Sequence, residues 1–339
     1  MLDSGLFPHI ARVSFAWFAA PHSIESVGRY NRSMRPRFSW ELRSRRLELG
    51  ERTFIMGVVN VTPDSFYDGG NFLEPTRAAE HALRLLEEGA DILDIGGEST
   101  RPGARIVGEE AQGKSKTVVS EEAERGRIMP VIEAVLRARP DAVLSVDTFK
   151  AAVARAAVAA GAEIVNDVSA FQWDAQMATA CAELECGVVM MHTRGKPGQW
   201  RKLPPAADVL QVVEHDLANR LQVALERGVR RTRIVLDPGF GFGKNFEENY
   251  PLLAHMDELQ RLGFPLLAGT SRKSFVGRTA GKRSGRDLPP EERLYGSLAA
   301  MVISILRGAH IVRVHDVKAA VEAAAIADAV LAGTRNSSC

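Results

Sequence analysis

The sequence predicts an α/β chain folded as a TIM-type (β/α)8 barrel, and three observations carry that expectation. Short β-branched runs alternate with helix-length segments, the alternation repeats eight times between Phe54 and Gly333, and most of the apolar runs end on polar residues. Such a barrel typically takes about 250 residues, and eight alternations suit a closed barrel better than an open doubly wound sheet. At 339 residues the chain holds one barrel with an extension more comfortably than two unrelated domains.

The extension comes first. Residues 1–36 carry Arg12, Arg29, Arg32 and Arg35, five serines and only Asp3 and Glu25 as acids. This superficially resembles an organelle transit peptide but lacks the basic, apolar, small-residue order of a secretory signal. It reads more simply as a disordered extension, or as a start placed too early with Met34 as the true one, ahead of a barrel domain at 37–339. The strands are then expected at Phe54–Asn60, Asp91–Ile95, Ala142–Asp147, Glu163–Asp167, Gly187–His192, Arg233–Asp237, Pro265–Gly269 and His310–Val314. In the first helical segment Ala79, Ala82, Leu83, Leu86 and Ala90 form one apolar face that should pack on the sheet. Gly89, Gly161, Gly187 and Gly263 sit where helix C-caps are expected. The longest loops, 104–124 and 195–207, both follow the C-terminal end of a strand, the face where barrels place substrate loops.

Composition excludes several function classes. Lys and Arg number 43 against 42 Asp and Glu, and a net charge of +1 exerts no general pull on nucleic acid or anionic lipid. No apolar run approaches the roughly 20 residues of a membrane span. Three cysteines, Cys181, Cys186 and Cys339, build neither a disulfide framework nor a zinc spacing, so a reducing cytoplasm is expected, with Cys181 and Cys186 as buried small hydrophobes. Trp200, His81 and His215 read as surface or helix residues.

In a barrel the strand ends converge on one mouth. Here they offer Asn60, Asp94 with Glu98–Arg101, Asp147, Asn166, His192, Asp237, Ser271–Lys273, Arg313 and His315. Any one carboxylate could simply cap the next helix. Together they exceed what packing requires, because a carboxylate among interior layers is costly unless paired or bound. Asp147, Asn166, Asp237 and Lys273 offer the donors and acceptors that read the edge of a flat heterocycle. Asn60, Arg313 and His315 suit a phosphate-bearing group and an accompanying Mg²⁺. The stretch DPGFGFGK (237–244) fails both phosphate-loop spacings, since Asn245 follows Lys244, and reads instead as a tight turn with Phe242 as an apolar wall.

Seven ordered segments, NVTPDSFYDGG (60–70), DIGGESTRPGA (94–104), SVDT (145–148), IVNDV (164–168), LDPGFGFGK (236–244), GTSRKS (269–274) and RVHDV (313–317), give the chain its resemblance to the dihydropteroate synthase family. The resemblance covers roughly 54–333. It implies condensation of 6-hydroxymethyl-7,8-dihydropterin diphosphate with p-aminobenzoate, with Mg²⁺ as cofactor and a homodimer formed through outer helices. It further implies that Asp147, Asn166, Met191, Asp237, Gly269 and Lys273 hold the pterin, and that Asn60, Thr100, Arg313 and His315 hold diphosphate, Asn60 also meeting Mg²⁺. Phe66, Arg101, Pro102, Phe242 and Ser271 would shape the p-aminobenzoate site, with Asp68 stabilising the cation or steering the amine alongside Lys273, Arg313 and His315. The chain departs from the usual pattern at Tyr67, Phe149 and Thr193, and in a longer second loop around 109–117. A pterin-dependent methyltransferase and a non-catalytic pterin-binding barrel are the alternatives.

Overall fold

The computed structural model describes residues 35–62, 73–99 and 119–336. The chain enters through an antiparallel hairpin, β1 (Phe38–Glu41) and β2 (Arg46–Leu49). Strand and helix then alternate: β3 (Phe54–Asn60), α1 (Leu73–Glu87), β4 (Ile92–Gly96), α2 (Glu121–Ala138), β5 (Leu144–Asp147), α3 (Ala151–Ala159), β6 (Ile164–Asp167), α4 (Met177–Leu184) and β7 (Gly187–Met191). The second half continues with α5 (Val209–Glu226), β8 (Ile234–Asp237), α6 (Asn249–Ala254), β9 (Leu267–Ala268), α7 (Ser274–Ala280), α8 (Leu294–Leu306), β10 (Ile311–Val314) and α9 (Val317–Asn336).

Eight strands, β3 to β10, pair in parallel in the spatial order β8-β7-β6-β5-β4-β3-β10-β9. A parallel bridge between Leu236 and Leu266 joins the two outer strands and closes the barrel. The expected strands lie within two residues of the observed ones, and Phe54–Asn60 coincides. β9 is the shortest, and just before it the Leu266 carbonyl accepts from His310 and Ile311 N–H at 2.8 and 3.2 Å.

Side chains alternate across each strand, so one set faces the barrel axis and the other faces the helices. The outward set, including Val59, Leu93, Ile95, Val146, Val165, Val188, Leu236 and Val312, joins the helix faces in one large core. The inward set begins with Phe54, Met56, Ile92, Val143, Ile164, Val189, Val235, Leu267 and Ile311, an apolar floor at the N-terminal ends of the strands. Trp40, Leu42 and Leu49 of the β1–β2 region cover that floor from below. Trp40 Nε1–H donates to the Arg233 carbonyl and Arg233 Nη1 to the Leu42 carbonyl, both at 2.8 Å, which ties the plug to the start of β8.

Three expectations need correction. Gly187 is not a helix cap: Glu185 takes the left-handed conformation, and Gly187 opens β7 where a Cβ would lie 2.5 Å from Leu42 Cδ2 of the plug. The second long loop ends earlier than 124, since Ser120 caps α2 by accepting from Ala123 N–H at 3.1 Å. Trp200 is a buried residue of a short 3-10 turn, set edge-on to Phe242 at 5.3 Å.

Candidate active site

Two residues beyond the apolar floor, the inward set turns largely polar. Ile92 is followed at this spacing by Asp94, Val143 by Ser145 and Asp147, Ile164 by Asn166, Val189 by Met191, Val235 by Asp237, Leu267 by Gly269, and Ile311 by Arg313. Strand register aligns Asn60 with Gly96, Gly96 with Asp147 and Asp147 with Asn166, so these residues lie level along the rim.

Arg313 is the centre of the mouth. Its Nε donates to Asp94 Oδ2 at 2.6 Å and its Nη2 to Asp147 Oδ2 at 2.7 Å, while Asn166 Nδ2 also donates to Asp94 Oδ2 at 2.9 Å. Burial works against the guanidinium's charge, but Asp94 and Asp147 outweigh it and push its pKa up. Burial, with Asp94 adding to it, pushes Asp147 above the usual carboxylate range against the pull of Arg313. Asp237 is pushed up by burial too, against the Gly239 N–H that donates to its Oδ1 at 2.7 Å. Asp94 Oδ1 and Ser145 Oγ are buried with no hydrogen-bond partner among the described residues, a cost that a polar ligand in the mouth would offset.

Around this centre the walls differ. Phe149, Val168 and Met191 form an apolar cluster with Trp173 and Phe242 packed against it. Lys273 Nζ lies over the Phe242 ring at 4.0 Å from its centroid. A Cβ at Gly269 would lie 3.8 Å from Asp237 Oδ2 and 3.9 Å from Arg313 Cβ, which places the glycine beside both residues. On the remaining side Ser271 Oγ meets His315 Nδ1 at 3.0 Å and also accepts the His315 N–H at 3.2 Å. Burial, with Arg313 and Arg272 adding to it, pushes His315 down to about 3, so the ring is neutral. Arg272 turns away to a two-point ion pair with Asp316 at 3.0 and 2.5 Å.

The structure therefore brings together Asp147, Asn166, Met191, Asp237, Gly269, Phe242, Lys273, Arg313, Ser271 and His315 at one barrel mouth, with Asn60 on the same rim. Phe66, Asp68, Thr100, Arg101 and Pro102 lie outside the described residues. His192, expected at the mouth, faces outward instead, between Asp216 at 3.2 Å and Lys244 at 2.8 Å. The odd step past inward-facing Met191 explains this. Asp94 is the residue whose part the sequence reading understated: it binds Arg313 and Asn166 at once, and the spacing Ile92, Asp94, Gly96 carried that signal.

A family model described as pterin binding enzyme matches residues 56–315. The dihydropteroate synthase of Bacillus subtilis is 42% identical over 285 residues, covering 84% of this chain and 91% of its own length. The chain belongs to the dihydropteroate synthase family. The Escherichia coli K12 dihydropteroate synthase is 40% identical, covering 83% of this chain and 93% of its own. Among solved structures, Xanthomonas albilineans dihydropteroate synthase with 4-aminobenzoic acid matches at TM-score 0.76 and 45% identity, covering 88% of this chain and 99% of that one. The same enzyme in complex with 7,8-dihydropteroate matches at TM-score 0.73 and 43% identity, with the same coverage. Among the described residues, apolar side chains close the floor beneath Asp94, Asp147 and Asp237, and these carboxylates lie toward the C-terminal rim.

Proposed function

We propose that this chain condenses 6-hydroxymethyl-7,8-dihydropterin diphosphate with p-aminobenzoate, giving 7,8-dihydropteroate and diphosphate in folate biosynthesis. The observation that carries the reading is the pair of carboxylates on Arg313, Asp94 buried and Asp147 part-buried, beside Asn166 and Lys273, in a chain of this family. A pterin presents ring N–H groups and a carbonyl along one edge. Asp147 and Asp237 accept from such donors, and Lys273 and Asn166 donate to the acceptors, while Met191 and Phe149 give the ring an apolar face.

The reaction breaks the C–O bond between the pterin methylene and diphosphate and forms a C–N bond to the arylamine, which loses a proton. The amine is already a usable nucleophile, so no covalent enzyme intermediate is needed. Departure of diphosphate builds positive charge on the pterin, and the carboxylates of Asp94, Asp147 and Asp237 around Arg313 are placed to stabilise it. Arg313 is matched first to Asp94 and Asp147, so we assign it chiefly to setting their geometry. His315 and Ser271 then serve the leaving group, the neutral ring donating from Nε2. Asp68, Thr100, Arg101, Phe66 and Pro102 are assigned to the p-aminobenzoate and diphosphate ends by motif position.

The donor set fits Mg²⁺ held mostly by the substrate. No group of three acidic, histidine or cysteine side chains gathers for a metal among the described residues, but the part-buried Asn60 makes no side-chain hydrogen bond among them. Mg²⁺ commonly takes one or two protein oxygens, with substrate phosphates and water completing the shell. When bound it would neutralise diphosphate charge. No described helix is long and apolar enough to cross a membrane, and we assign the enzyme to the cytoplasm. Tyr295, 83% exposed, lies with Ile303 and Leu306 on α8 and Ile326 and Val330 on the adjacent α9, an apolar surface that we assign to a second copy of the chain in a two-fold dimer.

The test is diphosphate release by the purified full chain, with dihydropterin diphosphate and Mg²⁺, with and without p-aminobenzoate. Product is identified by mass, and the enzyme's own mass is measured in solution. Release that requires p-aminobenzoate and yields dihydropteroate is expected. Tight pterin binding with no product under any condition would sink the reading.

A further inference from the structure

The turn after β8 is wound around one side chain. Its backbone passes through positive φ at Gly239 (+67°), Gly241 (+82°) and Gly243 (+68°), and a Cβ at Gly239 would lie 1.9 Å from the His192 carbonyl oxygen. Inside the turn, Lys244 Nζ lies 2.8 Å from Gly239 O, 3.4 Å from Phe242 O and 2.8 Å from His192 Nδ1. Both Lys244 and His192 are buried. Three acceptors match the three N–H bonds of an ammonium. The third holds only if His192 Nδ1 carries a lone pair, which puts the ring proton on Nε2, facing Asp216 Oδ2 at 3.2 Å. Asp216, half-exposed on α5, thus fixes the tautomer that completes the lysine's shell.

The same turn builds one side of the mouth. Gly239 N–H donates to Asp237 Oδ1 at 2.7 Å, and the Phe242 ring underlies Lys273 Nζ at 4.0 Å. Lys244 holds the carbonyls of these same two residues. We infer that Lys244, oriented by the His192–Asp216 pair, is a positioning residue for the pterin end of the site, fixing Asp237 and Lys273 without touching substrate. The inference rests on the synthase reading for the identity of the ligand.

The device is pH-sensitive. Lys244 faces His192, Asp237, Lys273, Arg194 and Glu248; burial first, with Lys273 and Arg194 adding to it, pushes the lysine down to about 7 against Asp237 and Glu248. His192 is pushed down to about 4 by burial and by Lys244, against the pull of Asp216, and stays neutral through this range. As pH rises through the lysine's pKa the third donor is lost, so pterin affinity falls. Removing Asp216 frees the imidazole to present Nδ1–H to the lysine, two donors face to face, and moves that fall to lower pH.

The experiment is calorimetric binding of 6-hydroxymethylpterin to the full chain between about pH 6 and 8, with product assays alongside. Lys244→Met should raise the pterin Kd at least about tenfold, a loss of ~1.4 kcal/mol, and leave the KM for p-aminobenzoate nearly unchanged. Lys244→Arg, which keeps the charge, should recover part of the affinity. Asp216→Ala, changed on the outer helix, should bind normally near pH 6 and lose affinity at lower pH than wild type. Wild-type pterin affinity in Lys244→Met overturns the inference, as does an Asp216→Ala profile that superimposes on wild type. Should Lys244→Met not fold, the Asp216→Ala profile decides. A wild-type chain that binds no pterin overturns the synthase reading with it, whereas wild-type binding with unaltered variants overturns this inference alone.

Discussion

The two ends of the barrel are built from the same strands and differ by one step of two residues along each. At the lower end Ile92, Ile164, Val235 and Ile311 meet Trp40, Leu42 and Leu49 and form a closed apolar layer. At the upper end Asp94, Asn166, Asp237 and Arg313 occupy the next inward positions. Burial stabilises the first layer at roughly 25 cal/mol per Å² of apolar surface removed from water. The second layer gains little from burial, because withdrawing carboxylates and a guanidinium from water costs several kcal/mol per ion before their mutual attraction offsets it. The lower layer can hold the barrel while the upper one keeps an arrangement that suits a ligand better than it suits the empty protein.

The sharpest way to break this contrast is Arg313→Leu. The change removes the cation bonded to Asp94 and Asp147 and leaves the buried Asp94 and part-buried Asp147 carboxylates facing each other. Removing one partner of a buried ion pair typically costs about 3–5 kcal/mol. Turnover should fall by at least about 100-fold, the scale seen when one preorganised electrostatic group is lost. Arg313→Lys should recover stability in part but not the two-point geometry. Steady-state kinetics and urea unfolding measure both effects, and near-normal turnover in Arg313→Leu would show that the carboxylates do not depend on it.

Trp40→Ala tests the other end. Trp40 is 1% exposed, packs on Gly187 and donates to the Arg233 carbonyl. Truncating a buried tryptophan costs about 3–5 kcal/mol, and here it also leaves a buried carbonyl unpaired. The expected result is a large drop in the urea midpoint with KM for both substrates unchanged in protein that remains folded. A changed KM with unchanged stability would mean that the two layers are coupled rather than stacked.

The sequence made the barrel readable because parallel strands covered on both faces are continuous apolar runs, and Phe54–Asn60 or Ile234–Asp237 admit little else. The hairpin escaped because its strands are four residues each and carry Arg46 and Glu48 beside Trp40 and Leu49, too short a span for the alternation to stand out. At the site, residue types and motif order located Asp147, Asn166, Asp237, Lys273 and Arg313. Direction was harder to read. His192 lies one residue past inward-facing Met191 and so leaves the mouth, while Arg313 turned inward to two carboxylates rather than standing open to an anion. The role of Lys244 was hidden because it depends on carbonyls that converge only once three glycines have taken positive φ.

β10 offers the finest version of the comparison, with a histidine just outside each end, His310 buried and His315 part-buried. His310 below and His315 above are both pushed down by burial, to about 4 and about 3. His310 is fully committed to structure: its Nδ1 accepts the Leu266 N–H at 3.1 Å and its Nε2 donates to the Pro36 carbonyl at 2.9 Å. Its ordinary pKa is 6.5, so between pH 6.5 and about 4 the unfolded chain binds a proton that the folded ring refuses. Stability from this group is complete above pH 6.5 and is lost as pH falls toward 4, by about 1.4 kcal/mol per unit. His310→Asn keeps an acceptor for Leu266 N–H but cannot titrate. Its stability deficit relative to wild type should therefore shrink by about 2 kcal/mol between pH 7 and pH 5, read from paired urea melts, with pterin affinity unchanged at either pH. A deficit that stays constant would mean that the lower end tolerates a charged imidazole. A shift in pterin affinity would mean that strand β10 transmits protonation from the floor to Arg313.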